Sequence, residues 1–159
     1  MATRPFPSFP EETDPRLLEA LASLNQISNA INRIGSGDGD QNDLSLQLIV
    51  DSAIRVIPGS SAVIYTYDQK TGRFENESRV SAEPEGRRPV SGQDPPDDAP
   101  RPHGIGMRTI QRRFRCLSYE EPDLNVHPHH AALGVKAVAC FPLIVAKQAV
   151  GLLYIYLHE

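Results

Sequence analysis

The fold is decided by the stretch Gly134-Val-Lys-Ala-Val-Ala-Cys-Phe-Pro-Leu-Ile-Val-Ala-Lys-Gln-Ala-Val-Gly-Leu-Leu-Tyr-Ile-Tyr-Leu157. Its β-branched and aromatic residues predict two strands, Val138 to Val145 and Val150 to Leu157. The polar pair Lys147-Gln148 lies between them and is typical of a tight connection. We therefore predict an antiparallel hairpin at the centre of a sheet, on which the rest of the chain packs.

Two residues inside this hairpin impose local constraints. Pro142 has no backbone N–H group, so we expect it at a bulge or on a side of its strand that has no partner. Gly151 opens the second strand, where it indicates a close approach of a neighbouring backbone.

Length, composition and charge limit the possible functions. The chain has 159 residues, of which 40% are hydrophobic and 23% charged, and this size suits one domain with a substantial core. A net charge of −4 lacks the electrostatic footprint of a nucleic-acid-binding protein, so we expect no nucleic-acid partner. No apolar run is long enough to span a bilayer and no signal peptide is recognisable. We therefore expect no membrane contact and a cytoplasmic location.

The N-terminal region is predicted to contain a head and a helix. Residues 1–13 are rich in proline and lack an apolar period, which predicts a disordered head before a single domain over 14–159. Asp14-Pro15 is typical of a helix start and Gly35 of a helix end. The apolar positions of this helix have heptad spacing and are Leu17, Ala20, Leu24, Ile27, Ile31 and Ile34. Two interpretations stay open, since this stripe packs either on its own sheet or on a second chain.

The rest of the chain predicts helices segregated from an antiparallel sheet. In chain order we predict a loop over 36–42, a helix over 43–57, strands over 62–67 and 73–81, a helix over 104–113, a short strand over 115–118 and one or two helical turns over 129–134. The strand over 73–81 is the more polar one and is predicted at an edge. Residues 83–103 are rich in proline and acidic residues, which predicts a flexible loop that is either disordered or a lid. This order of elements is that of an α+β fold.

The histidines and arginines are candidates for ligand binding. The run His127-Pro-His-His130 invites a metal site, but consecutive side chains point in different directions. We therefore predict solvent-exposed histidines and no metal site, with a pocket-facing His130 as the alternative. A basic cluster is formed by Arg108, Arg112, Arg113 and Arg115. It is interpreted as a solvated face or, alternatively, as a site for an anionic ligand.

The two cysteines also allow two interpretations. Cys116 and Cys140 are predicted to be reduced, because two cysteines are too few for a disulfide scaffold. They are either inert packing residues or a redox pair that neighbouring strands bring together. No catalytic motif is found in the sequence, and we predict no enzymatic activity for this chain.

Four stretches taken together resemble a GAF domain. They are Leu24-Asn-Gln-Ile-Ser-Asn-Ala-Ile31, the run from Leu46 to Gly59, Ala62-Val-Ile-Tyr-Thr-Tyr-Asp68, and Gly134-Val-Lys-Ala-Val continuing through Phe141-Pro-Leu to Val150-Gly-Leu-Leu. The resemblance covers residues 17–157. It implies a central antiparallel sheet of five to six strands, with the N-terminal helices on one face and a ligand pocket with short helices on the other.

The same resemblance implies a site and a dimer interface. Tyr65, Val138 and Cys140 would face the pocket from the sheet, while a helix would cover it with its apolar residues. The implied ligand-binding residues are Tyr65, Ile110, Phe114, Cys116, Val138 and Cys140. Members of the family often dimerise through terminal helices, which here implies an interface containing Leu17, Leu24, Ile27, Ile31 and Ile34.

No cofactor is identified by the resemblance. Covalent bilin is disfavoured because no cysteine lies between Cys116 and Cys140, and the signature of the cyclic-nucleotide binders is absent. The free methionine sulfoxide reductases of this fold need several cysteines in the pocket loops, whereas only Cys116 lies near that region. A haem sensor would need a proximal histidine, for which the candidates are His127, His129 and His130.

The leading functional hypothesis is a sensory or regulatory domain of a bacterial signalling protein, a sensor histidine kinase in particular. It would bind a small ligand, form a homodimer and relay a signal to an output domain. Because the sequence ends directly after the last predicted strand, we expect that output domain outside this chain. The alternatives are a ligand-free dimerisation module and a redox enzyme of the methionine sulfoxide reductase type.

Overall fold

The computed structural model describes residues 39–86, 99–121 and 123–158. The predicted head over 1–13, the predicted apolar stripe from Leu17 to Ile34 and most of the predicted loop over 83–103 lie outside these residues. The described elements are α1 (Gly39–Val56), β1 (Ser61–Asp68), β2 (Arg73–Ala82), α2 (Ile105–Arg112), β3 (Cys116–Leu117), α3 (Pro128–Ala132), β4 (Ala137–Val145) and β5 (Gln148–Leu157). Among the described helices, none combines the length and the apolar character that crossing a membrane requires.

The five described strands form one antiparallel sheet in the order β2-β1-β5-β4-β3. The predicted hairpin is formed by β4 and β5, and β5 is the central strand. The more polar strand β2 lies at one edge, as its composition predicted, and the short strand β3 lies at the other. The predicted α+β fold is thereby confirmed.

Helix α1 covers one face of the sheet. Its buried residues Leu46, Ile49 and Val50 recur at helical spacing and pack against alternate strand residues such as Ile64 and Ile155. A face lined by β-branched and aliphatic side chains excludes water from this layer, which makes it the main hydrophobic core. The other helices, α2 and α3, lie on the opposite face.

Helix α1 begins earlier than the sequence predicted. The prediction placed a loop over 36–42, whereas helical structure extends from Gly39. The glycine and aspartate residues of this stretch were mistaken for loop signals, although Asp40 lies in the first turn of the helix. The other boundaries differ by one or two residues, with β3 limited to Cys116–Leu117.

The hairpin turn lies one residue before the predicted tip. Ala146 and Lys147 both have positive φ, at 48° and 66°, while Gln148 already pairs with Val145. Positive φ at both central residues is the geometry of the two-residue turn that matches the twist of a hairpin. The turn occurs without the usual asparagine or glycine, so its position was not evident from the local sequence.

Both constraints predicted inside the hairpin are present. The N–H and C=O groups of Val138 are engaged by Ser118, at 2.9 Å each, so they face the β3 side. Pro142 is four residues further and by strand alternation its nitrogen faces the same side, beyond the last residue that β3 pairs. A Cβ at Gly151 would lie 2.8 Å from the carbonyl oxygen of Tyr65, so this position requires glycine.

Candidate functional site

Alternate residues of β1, β4 and β5 form an aromatic face on the side of the sheet opposite α1. We define the aromatic face by Tyr65, Val138, Cys140, Tyr154 and Tyr156. The strand register explains their common orientation: Val138 pairs with Tyr156 and Cys140 with Tyr154, and paired residues project to the same side. Helices α2 and α3 cover this face.

The tyrosines of the aromatic face contact one another. The Tyr154 and Tyr156 rings are nearly parallel, with centroids 6.1 Å apart, and the Tyr65 ring meets Tyr154 edge-on at 5.7 Å. Burial raises the pKa of Tyr65 to about 12, and it also holds the pKa values of Tyr154 and Tyr156 well above the usual range. All three are therefore neutral phenols at physiological pH, and each supplies a hydroxyl group to a largely apolar surface.

Helix α2 lies directly on Tyr154. A Cβ at Gly106 would overlap the hydroxyl oxygen of Tyr154 and would lie 3.1 Å from Cδ1 of Leu152. One turn further, the fully buried Thr109 hydroxyl donates to the Ile105 carbonyl at 2.8 Å. The absence of a side chain at Gly106 thus lets the helix approach the aromatic face.

The Cys140 thiol is enclosed at this contact. Burial raises its pKa to about 12, and hydrogen bonds with the side chains of Thr109 and Tyr154 oppose that increase. Cys140 is therefore protonated at physiological pH and joins α2 to the sheet.

His130 is the most unusual group at the site. It lies in α3, is only 8% exposed, and its ring centroid is 4.6 Å from that of Tyr156. Its Nε2 atom is buried and has no hydrogen-bond partner among the residues that the structure describes. Burial, together with the smaller effect of the charges of His127, His129 and Arg101, lowers the pKa of His130 to about 4.

The placement of His130 corrects the prediction of solvent-exposed histidines. Pro128 is the first residue of α3, and the Nδ1 atom of His127 accepts the backbone N–H of His129 at 3.1 Å. These features start a short helix, and His130 lies on the side of this helix that faces Tyr156. The three rings lie 5.7 to 6.4 Å apart, but within 39–86, 99–121 and 123–158 no histidine, cysteine or acidic residues group in a way that would hold a metal ion.

A buried serine–histidine contact extends the aromatic face at one end. The Ser61 hydroxyl and the Nε2 atom of His158 lie 2.9 Å apart, and both residues are less than 5% exposed. This pair was not predicted from the sequence. Strand alternation contained the signal, since Ser61 lies two residues before Val63 and His158 two residues after Tyr156. Because both groups are enclosed, their contact joins the ends of β1 and β5.

The comparisons with known proteins agree with this architecture. A model of the GAF domain family matches residues 43–159. The chain belongs to the GAF family. GAF domains are signalling and ligand-binding modules, so membership supplies a class of function without naming a ligand. Among curated proteins, no sequence matches the chain.

Solved structures of GAF domains share the fold. The phycoerythrobilin-bound GAF domain from a cyanobacterial phytochrome has a TM-score of 0.58 and 17% identity, with 90% of this chain and 83% of that chain covered. The A. Aeolicus nlh2 GAF domain in an inactive state has a TM-score of 0.53 and 13% identity, with 91% of this chain and 82% of that chain covered. The free methionine-R-sulfoxide reductase from Neisseria meningitidis has a TM-score of 0.51 and 13% identity, with 94% and 78% covered. At these identities the likeness concerns the fold.

The basic cluster of this GAF domain is largely paired within the chain. Arg108 contacts Glu121 at 2.6 Å and Asp123 at 2.7 Å, and Arg112 also pairs with Glu121. Arg115 lies 3.3 Å from Glu120. The hydrogen bonds from Arg112 and Arg108 hold the pKa of Glu121 below its usual range. The ion pairs of the cluster therefore connect α2 to the segment before α3. Neither predicted interpretation, a solvated face or an anion site, included these pairs.

The residues that the resemblance assigned to the pocket of the GAF domain have different positions. Tyr65, Val138 and Cys140 share the aromatic face, and Cys116 lies opposite Cys140 on β3. The others differ, since Ile110 is partly buried in α2 while Phe114 is 64% exposed.

The expectation that Phe114 covers the pocket is therefore wrong. Helix α2 ends at Arg112, and Arg113 has a left-handed backbone with φ of 52°. This turn directs the chain away from the helix axis, so Phe114 does not continue the helical face that the sequence period implied.

Proposed function

We propose that this GAF domain is a sensory domain that binds a small organic molecule at the aromatic face. The observation that carries the proposal is the buried Nε2 atom of His130, which lies beside Tyr156 and has no hydrogen-bond partner in the described part of the chain. Leaving a buried polar group unsatisfied costs about 1–3 kcal/mol, and a bound molecule that pairs with it recovers this cost.

The surroundings of His130 favour a mostly apolar or aromatic ligand with one polar group. Tyr156 and Val135 are buried beside it, and Val126 and Leu133 pack on the same cluster. Because the His130 ring is neutral at pH 7, the polar group of the ligand forms a neutral hydrogen bond with it. A few polar atoms within an apolar lining are typical of small-molecule sites.

A thermal-shift screen with nucleotides, amino acids, haem and bilins tests ligand binding. We expect at least one compound to raise the melting temperature, because a ligand present at a hundred times its Kd stabilises the folded state by about 2.7 kcal/mol. His130→Phe should abolish the response, whereas Gln148→Ala, at the exposed start of β5, should retain it. An equal response of parent and His130→Phe would contradict this site, and no response to any compound would favour a ligand-free module.

A signalling role is proposed for the protein in which this GAF domain acts. We assign it to the cytoplasmic sensor histidine kinases, in which ligand binding to the GAF domain would shift the packing of the N-terminal helices and so bias the output domain. Membership of the GAF family supports a regulatory role for this domain. We further propose that the output domain is a histidine kinase and that the protein is cytoplasmic.

The homodimer is proposed on a separate observation. Leu44 is 74% exposed and Leu48 37% exposed, and their spacing places them on one outer side of α1. The sequence predicts a second apolar stripe, from Leu17 to Ile34, as part of the same interface. A second copy of the chain would bury both parts in a helical interface.

Light scattering of Leu44→Glu/Leu48→Glu tests the dimer. We expect a dimer mass for the parent and a monomer mass for the double variant, because two charges would be buried in the interface. Phe114→Ser, which replaces another exposed apolar residue away from α1, should keep the parental mass. A monomeric parent, or a double variant with unchanged mass, would overturn the proposal.

We propose no enzymatic activity for this domain. The sequence has two cysteines, and both are buried, which does not suit a thiol that attacks a substrate as large as methionine sulfoxide. The redox-enzyme alternative requires a sulfur that this substrate can reach, so the binding module is the better supported function.

A further inference from the structure

The strand register places the two cysteines directly opposite each other. Cys116 on β3 pairs with Cys140 on β4, and both thiols are free and buried. Opposed residues of antiparallel strands have Cα atoms about 4.5–5.5 Å apart and side chains on the same face. A disulfide needs Cα atoms at about 4.4–6.8 Å, so the backbone already meets this requirement.

Neighbouring contacts hold this register and distinguish the two thiols. Two positions further along, Ser118 and Val138 exchange hydrogen bonds of 2.9 Å through backbone and hydroxyl groups. Nη1 of Arg112 lies 3.9 Å from the Cys116 sulfur, whereas the Cys140 thiol contacts neutral side chains. A cation beside a sulfur assists its reaction as a nucleophile.

We propose that Cys116 and Cys140 are a thiol modification site. When a peroxide oxidises them, they form a reversible disulfide with each other within one chain. The sulfur of Cys116 attacks one peroxide oxygen, the O–O bond breaks, and a sulfenic acid and one water are formed. The sulfur of Cys140 then attacks the Cys116 sulfur and loses its proton, the S–O bond breaks, and a second water leaves. Two thiols lose two electrons and two protons in total, and one hydrogen peroxide is reduced to two waters.

The disulfide would change the site that the tyrosines form. Strand β3 is held to β4 through only two paired residues, so a covalent bond would fix an edge that is now held by few contacts. The Cys140 sulfur would also bond to Cys116 in place of its proton, which changes its hydrogen bonds with the side chains of Thr109 and Tyr154. Oxidation is thereby coupled to the contact between α2 and the aromatic face. Transient disulfides of this kind occur in reducing compartments as redox sensors.

Intact mass spectrometry of the full chain tests the proposal. The protein is treated with hydrogen peroxide, denatured, and alkylated with iodoacetamide, with free glutathione as the reference thiol. We expect a species that has lost two hydrogen atoms and takes no alkyl group, and dithiothreitol should restore two alkylation sites. Peptide mapping should identify the cross-link between the peptides of Cys116 and Cys140.

Single variants distinguish the order of the two steps. Cys140→Ala should accumulate oxygen on Cys116, whereas Cys116→Ser should leave Cys140 as an alkylatable thiol. Circular dichroism establishes that each variant is folded. If a variant does not fold, the detection of the disulfide in the unmodified protein still tests the proposal. The proposal is overturned if both cysteines of the parent remain alkylatable when glutathione is fully oxidised, if they carry oxygen without a cross-link, or if the disulfide joins two chains.

Discussion

Lowering the pH from 7 to 4 is expected to destabilise the domain by up to about 3 kcal/mol through His130. The pKa of this residue falls from 6.5 to about 4 on folding, because burial disfavours the charged ring. Between these two values the unfolded chain binds more protons than the folded one. The contribution to stability is therefore fully present above pH 6.5, is lost progressively as the pH falls toward 4, and changes no further below that.

Urea denaturation at several pH values between 7 and 4 measures this effect. His130→Phe keeps an aromatic ring against Tyr156 but has no titrating nitrogen, so its free energy of unfolding should depend less on pH than that of the parent. Carboxylates such as Glu121 titrate in both proteins, and the difference between the two curves isolates His130. His103→Gln, a substitution of an exposed histidine, should retain the parental curve. Identical curves for the parent and His130→Phe would show that His130 is not the group responsible.

Gly106→Ala is expected to destabilise the domain by about 1–3 kcal/mol, the usual cost of overpacking. In an ordinary helix this change stabilises by up to about 1 kcal/mol, because alanine has the higher helix propensity. The new methyl group would overlap the Tyr154 hydroxyl oxygen and crowd Leu152. The clash therefore outweighs the propensity, and the sign of the effect reports the close contact of α2 with the sheet.

A double-mutant cycle tests the cause of this loss. Tyr154→Phe removes the hydroxyl group that the methyl group meets, so Gly106→Ala should cost less in the Tyr154→Phe background than in the parent. The four proteins are compared by urea denaturation at one pH. Equal costs of Gly106→Ala in both backgrounds would mean that the Tyr154 hydroxyl is not the obstacle.

The sheet could be predicted because its residues repeat with the period of a strand. Tyr65, Val138 and Cys140 were assigned to one face on alternation and resemblance, and the register agrees because a strand leaves no freedom in that parity. The backbone environments of Pro142 and Gly151 could also be predicted from residue type. Proline needs a position without an N–H partner, and glycine allows a close approach of a neighbouring backbone.

The tertiary contacts of the site could not be predicted in this way. The burial of His130 depends on a short helix and on Tyr156, which is 26 positions away in the chain. The pairing of Arg108 with Glu121 and Asp123 depends on where a loop crosses α2, and no local period encodes such a crossing. Phe114 was misplaced because one left-handed residue, Arg113, interrupts the helical period.

The position of Pro142 also bears on association between molecules. Strand β3 ends its pairing at Cys140 and Ala139, so the following part of β4 presents a sheet edge that no described strand covers. An open edge with regular N–H and C=O groups is a template on which a strand from another molecule can add. Pro142 removes the N–H group at this place, and a β-bulge follows between Leu143 and Ile144. Both features interrupt the ladder that an added strand needs, and they protect the domain from edge-to-edge aggregation.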